Sequence, residues 1–461
     1  MISGLGCIRQ CCLRLSFPAA RPLPRHSAFP IRRRCGVRRL YATATCSAAA
    51  KKEKVIVISG PTGAGKTRLA LELAKRLNGE IISADSVQVY QGLDVGSAKP
   101  SFSEREEVRH HLVDILHPSE EYSVGQFFED ARQVTRDILD KGRVPIVTGG
   151  TGLYLRWYIY GKPDVPKSSP EITSEVYSEL ADLQNIGDWD TAVQVVVKAG
   201  DPKAQSLAVN DWYRLRRSLE IIKSTGSPPS AFQVPYDSFR GQFDSPVTDY
   251  SLEDKSSGYG LEDNKSKDLD YDFICFFLTS QRLDLYRLID FRCEDMLSGS
   301  DGILSEARWL LDIGLLPNSN SATRAIGYRQ AMEYLLRCRE KGGWSSAPDF
   351  FAFLSEFQKA SRNFAKRQLT WFRNERIYQW IDASKPLEKV LNFICEAYYD
   401  QTGNLTVPRS LSMEREISDR YQLSELKAYG PKNRKFVSRD DCSGVLDWIR
   451  RTQGQTADLV C

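Results

Sequence analysis

Residues 55–77 read "VIVISGPTGAGKTRLALELAKRL". An apolar run ends at Ser59, a glycine-rich loop follows, and Thr67 opens a stretch with helical spacing of leucines and alanines. Gly60, Pro61, Thr62, Gly63, Ala64, Gly65, Lys66 and Thr67 fit the phosphate-loop pattern of a glycine, four residues, then Gly-Lys-Thr. Backbone N–H groups of such a loop cradle phosphate oxygens, aided by the positive end of the next helix. Lys66 adds a point charge, and the Thr67 hydroxyl is placed to hold Mg²⁺. The pattern does not separate a nucleoside triphosphate from another diphosphate. An empty glycine turn is the plain alternative.

The same strand–helix alternation continues outward. "GEIISAD" reads as a second strand ending in an acid, "SVGQFFEDARQVTRDILDKG" as an amphipathic helix, and "VPIVTGGTGLY" as a strand entering a glycine turn. This βαβ series predicts an α/β fold, a P-loop NTPase-like parallel sheet with covering helices. Ligands of such sheets bind beyond the carboxyl ends of the strands, so Gly60, Asp85 and Gly149 are expected to converge. The core's first part is placed at 51–157, an inserted helical subdomain at 158–208 and a return to the core at 209–240. An acidic, weakly apolar insertion is placed at 241–272, and a core strand ("DFICFFLT") with a helical C-terminal part at 273–400. The extension at 401–461 yields no function from its residues.

Charge is unevenly distributed. The chain of 461 residues has a formal charge of +4, yet nine of its 63 basic residues and none of its 59 acidic ones fall within residues 1–50. The rest stands at about −5, so any nucleic-acid surface on it must be a local patch. The arginine-rich, acid-free leader reads as a transit peptide for an organelle. "RRLYA" points to a mitochondrion and "ATCSAAA" to a chloroplast; a basic arm that stays attached is the other reading. Five of eleven cysteines lie in the leader, and the remaining six form no C-x-x-C pair, which argues against a structural zinc site. His110 and His111 read as structural.

Asp85, at a strand end beside the phosphate loop, suits three tasks: holding Mg²⁺, capping a helix or removing a proton. Ser86 and Gln88 carry groups of the kind that read a base edge, and Val87 lies between them. Lys99, in "GSAKP", offers another cation near the same mouth. Thr151 in "GGTGLY" is a turn residue whose hydroxyl suits local backbone. Arg214 and Arg217 lie three apart on one helix face. In "QKASRNFAKRQLTWFR" (358–373), five cations occur without an acid. Lys359, Arg362, Lys366 and Arg373 share a helical stripe that suits RNA phosphate or a solvated face, with Arg367 beside it. Phe357, Phe364 and Trp371 repeat every seven residues and are expected to face the core.

In combination, "GPTGAGKT", "ADSVQVYQGLDVGSAKP", "HHLVDI", "YSVGQF", "GGTGLY", "NDWYRLRRSLEI…TGSPPS", "RAIGYRQ" and "AKRQLTWFR" resemble the tRNA dimethylallyltransferases, in the same order, over roughly 54–376. The resemblance implies that the phosphate loop holds the diphosphate of dimethylallyl diphosphate with Mg²⁺. The implied acceptor is N6 of the adenosine 3′ of the anticodon, in tRNAs reading codons that start with U. It further implies Asp85 as the catalytic carboxylate and Thr151 at the tRNA-facing side of the channel. Arg217 is implied at the diphosphate. Residues Asp85–Gln88, Arg214, Arg362, Lys366 and Arg367 are expected on the anticodon stem-loop. "Arg217-Ser218-Leu219" and "GSAKP" depart slightly from the family's "RAL" and "GTAKP". A monomer with no membrane partner is expected. Two other readings stay open: an adenylate isopentenyltransferase acting on free nucleotides, and a phosphate-loop RNA-binding protein without prenyl chemistry.

Overall fold

The computed structural model describes residues 52–207, 209–237, 239, 269–299, 302–403, 405–415 and 420–454. The leader and all but the last residues of the acidic insertion lie outside the described residues. In chain order the first half runs β1 (Lys54–Ser59), α1 (Lys66–Leu77), β2 (Gly79–Ser83), α2 (Phe102–Glu107), β3 (His110–His111), α3 (Val124–Asp140), β4 (Val144–Gly149) and α4 (Gly152–Tyr160). Then come α5 (Pro170–Ile186), α6 (Trp189–Ala199), α7 (Trp212–Thr225) and β5 (Asp272–Thr279). The rest is α8 (Arg282–Leu297), α9 (Ile303–Asp312), α10 (Tyr328–Glu340), α11 (Ala347–Arg373), β6 (Gln379–Asp382), α12 (Leu387–Tyr399), α13 (Arg420–Lys427) and α14 (Ser443–Gln453).

Six strands form one all-parallel sheet in the order β3-β2-β4-β1-β5-β6. Central β1 is buried on both faces, which explains its continuous apolar run. Alternation along it divides the core: Val55 and Val57 pack into one layer, Ile56 and Ile58 into the other. Helices α3, α4 and α8 to α11 contribute to the first layer, α1 and α12 to the second. Register brings Ser59 beside Gly149 and Ser83 beside Thr148, so the carboxyl ends of β1, β2 and β4 meet at one edge.

Two sequence expectations need correcting. The first concerns α7, placed in the core return at 209–240. Its Trp212, Leu215, Leu219 and Ile222 pack instead with Val176 of α5 and Val196 of α6, in a core of the insertion's own. The helix's apolar stripe shows that it needs a partner, but nothing in the spacing says which one. Return to the main core comes later, at Tyr236 and Phe239. The second concerns the part at 273–400, expected to be helical after its core strand: β6 joins the sheet edge within it. A run of four residues is too short for its period to tell strand from helix.

Candidate active site

The glycine loop turns tightly against β5. A Cβ on Gly60 would lie 2.2 Å from the Leu278 carbonyl oxygen, and Gly65 enters α1 in the left-handed region at φ +84°. Lys66 folds back over the loop, donating to the Pro61 carbonyl at 2.8 Å. Burial and the neighbouring Arg292 charge, opposed by Asp85, push its ammonium down to about 8. Thr67 follows in the first turn of α1.

A cavity of about 430 Å³ opens beside this loop. Thr62, Asp85, Ser86, Val87 and Thr151 line one side. Asp85 Oδ1 accepts from the N–H of Val87 at 2.9 Å and more weakly from that of Gln88 at 3.4 Å. Its local turn-capping role is therefore real, and it aims the same carboxylate into the cavity. The Ser86 N–H donates to Thr151 Oγ1 at 3.2 Å, tying the loop after β2 to the turn after β4. A hydroxyl that accepts a bond still has its own proton to donate.

Opposite stands a wall that includes Ile289, Met296, Ile326, Phe357 and Phe364. Phe357 is buried as expected, but Phe364 is only half-buried and faces the cavity. Half-buried Trp371 packs instead against the Arg156 guanidinium, 4.1 Å from its ring centre. The cations on the cavity are Arg292, Arg324 and Arg367. The Arg292 side chain has no hydrogen bond or ion pair among the described residues, and burial lowers its pKa. Its charge helps to lower the Lys66 ammonium, and the Asp85 carboxylate acts favourably on it in turn. Sequence reading passed over it because "DFRCEDML" resembles an ordinary charged helix. Arg324 stood inside a quoted motif but carried no role.

Other expected residues sit elsewhere. Gln88 has its amide committed inward, accepting from Ser83 Oγ at 2.8 Å and donating to the Ser97 and Ala98 carbonyls, so no base edge can use it without breaking the loop. Lys99 is not a free cation: its side chain is 1% exposed and donates to Asp94, Asp114 and the Tyr90 carbonyl. Arg217 bonds Glu220 at 3.0 Å and Ser168 at 3.2 Å, and exposed Arg214 pairs with Asp211. Neither lines the cavity. Arg362 leaves the expected RNA stripe, being 13% exposed and paired with buried Asp290. An acid 72 positions upstream is invisible to helical spacing. Lys359, Lys366 and Arg367 do lie exposed on α11. His111 bonds Glu80 at 2.6 Å and His110 the Val108 carbonyl at 2.8 Å.

Two carboxamide or carboxylate groups hold the walls. Gln368 on α11 accepts from the Thr62 N–H at 2.9 Å and donates to the Gly150 carbonyl at 3.0 Å, linking the phosphate loop to the β4–α4 turn. Glu306 on α9 accepts from the N–H groups of Asp94, Val95 and Gly96 and from the Tyr328 hydroxyl, which shapes the loop that presents Gly96 and Ser97 to the cavity.

The lowered Lys66 pKa predicts a pH limb. A charged lysine favours an anion, so kcat/KM for an anionic donor stays high below pH about 8 and falls as pH rises through it. Lys66→Arg removes that limb, because a guanidinium stays charged. Initial rates from pH 6 to 9.5 at subsaturating donor check this.

A family model described as IPP transferase matches residues 88–375, and one described as isopentenyl transferase matches 53–115. The chain is 61% identical to tRNA dimethylallyltransferase 9 of Arabidopsis thaliana, with 100% of this chain and 98% of that protein aligned. It is 38% identical to the tRNA dimethylallyltransferase of Protochlamydia amoebophila (strain UWE25), over 72% of this chain and 84% of that protein. A solved structure of a eukaryotic dimethylallyltransferase acting on tRNA shares the fold at a TM-score of 0.55 and 24% identity, covering 81% of this chain and 84% of that one. With a relative of such identity aligned along its whole length, and several of the matching motifs meeting at one cavity, the chain belongs to the tRNA dimethylallyltransferase family.

Proposed function

We propose that the chain transfers a dimethylallyl group from dimethylallyl diphosphate to N6 of the adenosine 3′ of the anticodon in tRNAs reading U-starting codons. One observation carries this reading: a single cavity joins a guanidinium with no ion pair among the described residues, a carboxylate and an apolar wall beside a glycine phosphate loop. Each matches one part of the reaction. The loop amides, Lys66 and Arg292 take the diphosphate, the wall takes the five-carbon chain, and Asp85 and Thr151 meet the adenine.

In the reaction the allylic C1–O bond breaks and its electron pair leaves with the diphosphate. N6 supplies the pair for the new C1–N6 bond, and its proton passes to the Asp85 carboxylate. Positive groups already aimed at the leaving oxygens stabilise charge where it develops. Because N6 of a stacked base cannot reach a walled cavity, the adenosine must flip out of the anticodon loop. The Thr67 hydroxyl is the residue suited to Mg²⁺. Among the described residues no cluster of three His, Cys, Asp or Glu side chains forms a dedicated cage. Magnesium fits a site of one hydroxyl, substrate phosphates and water. When bound it neutralises diphosphate charge.

Exposed Lys359 and Lys366 on α11 support RNA over a free nucleotide as acceptor. Replacing both with glutamine is expected to weaken tRNA binding and lower the salt slope by about 2, about one per lost phosphate contact. Arg362→Gln is expected to leave that slope alone and to cost about 3 kcal/mol of stability, because Asp290 stays buried without its cation. Filter binding across salt and thermal melting separate the two. The arginine-rich leader supports delivery to an organelle.

The deciding experiment incubates the purified chain with labelled dimethylallyl diphosphate, offering an anticodon stem-loop RNA and AMP as competing acceptors. Label on N6 of the RNA adenosine is the expected result. Label on AMP alone, or on neither, would overturn the proposal.

A further inference from the structure

The C-terminal extension packs against the helix that carries Arg292. Residues 289, 292, 293 and 296 of α8 line the cavity, a spacing that defines one face of a helix. Asp290 and Glu294, one turn apart, lie on the neighbouring face, and both are 0% exposed. A buried carboxylate is tolerated only when donors surround it. For Glu294 those donors are three consecutive backbone N–H groups from the extension: Arg434, at 2.9 Å and 3.0 Å to the two oxygens, Lys435, and Phe436 at 3.0 Å.

More contacts fix the same segment. The Tyr429 hydroxyl donates to Asp290 at 2.8 Å, opposite the Arg362 pair. Gln358 on α11 donates to the Asn433 side chain at 3.0 Å, and Phe436 meets Phe350 edge-on at 4.9 Å. Outside, Arg434 and Lys435 both pair with Asp295. Thus one face of α8 is gripped by residues 429–436 while the adjacent face forms the active-site wall. The family match ends at residue 375, so this grip comes from beyond it.

We infer that Glu294 is a positioning residue: held by the 434–436 amides, it sets the rotation of α8 and so aims Arg292 at the donor's diphosphate. The inference rests on the proposed donor site, in which Arg292 meets that diphosphate. A helix turned by even a fraction of its period displaces a guanidinium that no hydrogen bond or ion pair anchors among the described residues. The extension is then a working part of donor binding.

The test compares Glu294→Gln with the wild type, each with and without Arg292→Ala, by steady-state KM for dimethylallyl diphosphate, kcat and tRNA affinity. Glutamine preserves shape but removes the charge, and even with its oxygen toward the three N–H groups its NH₂ faces the Arg434 N–H. Glu294→Gln is expected to raise donor KM about ten-fold with tRNA affinity held within about two-fold, and to add less than about two-fold once Arg292 is alanine, since coupled residues are not additive. Tyr429→Phe, a milder cut at the neighbouring Asp290 contact of the same segment, is expected to raise donor KM about two- to three-fold and stands in if Glu294→Gln does not fold. An unchanged donor KM in the folded variants, or an equal rise with Arg292 already removed, overturns the inference. If Arg292→Ala alone leaves donor KM unchanged, the proposed donor site fails instead.

Discussion

Asp85→Ala is expected to lower kcat by about 10²–10⁴-fold, the range for removing a positioned general base, while tRNA affinity changes by less than about two-fold. An exocyclic adenine amine is a weak nucleophile, because its lone pair is delocalised into the ring. Proton removal as the C–N bond forms is therefore worth more here than for an alkyl amine. Alanine alone does not isolate that role, since Asp85 also accepts the Val87 and Gln88 N–H groups and shapes the loop. Asp85→Asn keeps an oxygen for those bonds and loses the basicity. Equal loss of kcat in both variants assigns the proton; near-normal turnover in Asp85→Asn would reduce the residue to a turn former. Single-turnover rates with saturating tRNA make the measurement.

Arg292→Ala is expected to cut kcat/KM for dimethylallyl diphosphate by about 10²–10³-fold, the usual effect of deleting one preorganised group facing developing charge. Two observations motivate the size. Its guanidinium has no partner among the described residues, and it sits where its charge depresses the Lys66 ammonium. An unpaired, partly buried cation is costly to keep unless an anion arrives. Removing it is accordingly expected to raise the Lys66 pKa, which moves the alkaline limb of the pH profile upward. Arg217→Ala belongs in the same assay. A loss matching that at Arg292 would mean that α7 closes over the donor, since Arg217 otherwise spends its bonds on Glu220 and Ser168.

The site was legible where chemistry is encoded locally. Glycines at 60 and 65, a lysine after the second and an acid at the end of the next strand place a phosphate cradle beside Asp85 without reference to anything distant. Cations were read less well. Lys99, Arg362 and Arg292 look alike in sequence, each a basic residue among mixed neighbours, yet two are ion-paired with carboxylates and the third has no ion pair among the described residues. Gln88 and Gln368 show the same difference for amides: the first ties its own loop, the second crosses from α11 to the phosphate loop.

Sequence alone sufficed for the parallel sheet, its first strands and the glycine loop, because backbone preference and side-chain period act over a few residues; the family followed from the resemblance of its motifs. Folding in three dimensions settles which face of α8 meets the cavity, that α7 belongs to the insertion, and that the C-terminal extension supplies three amides to Glu294. The physical reason is one and the same. Whether a charge is free to act depends on the donors and acceptors that folding brings within about 3 Å, and separation along the chain carries no record of them.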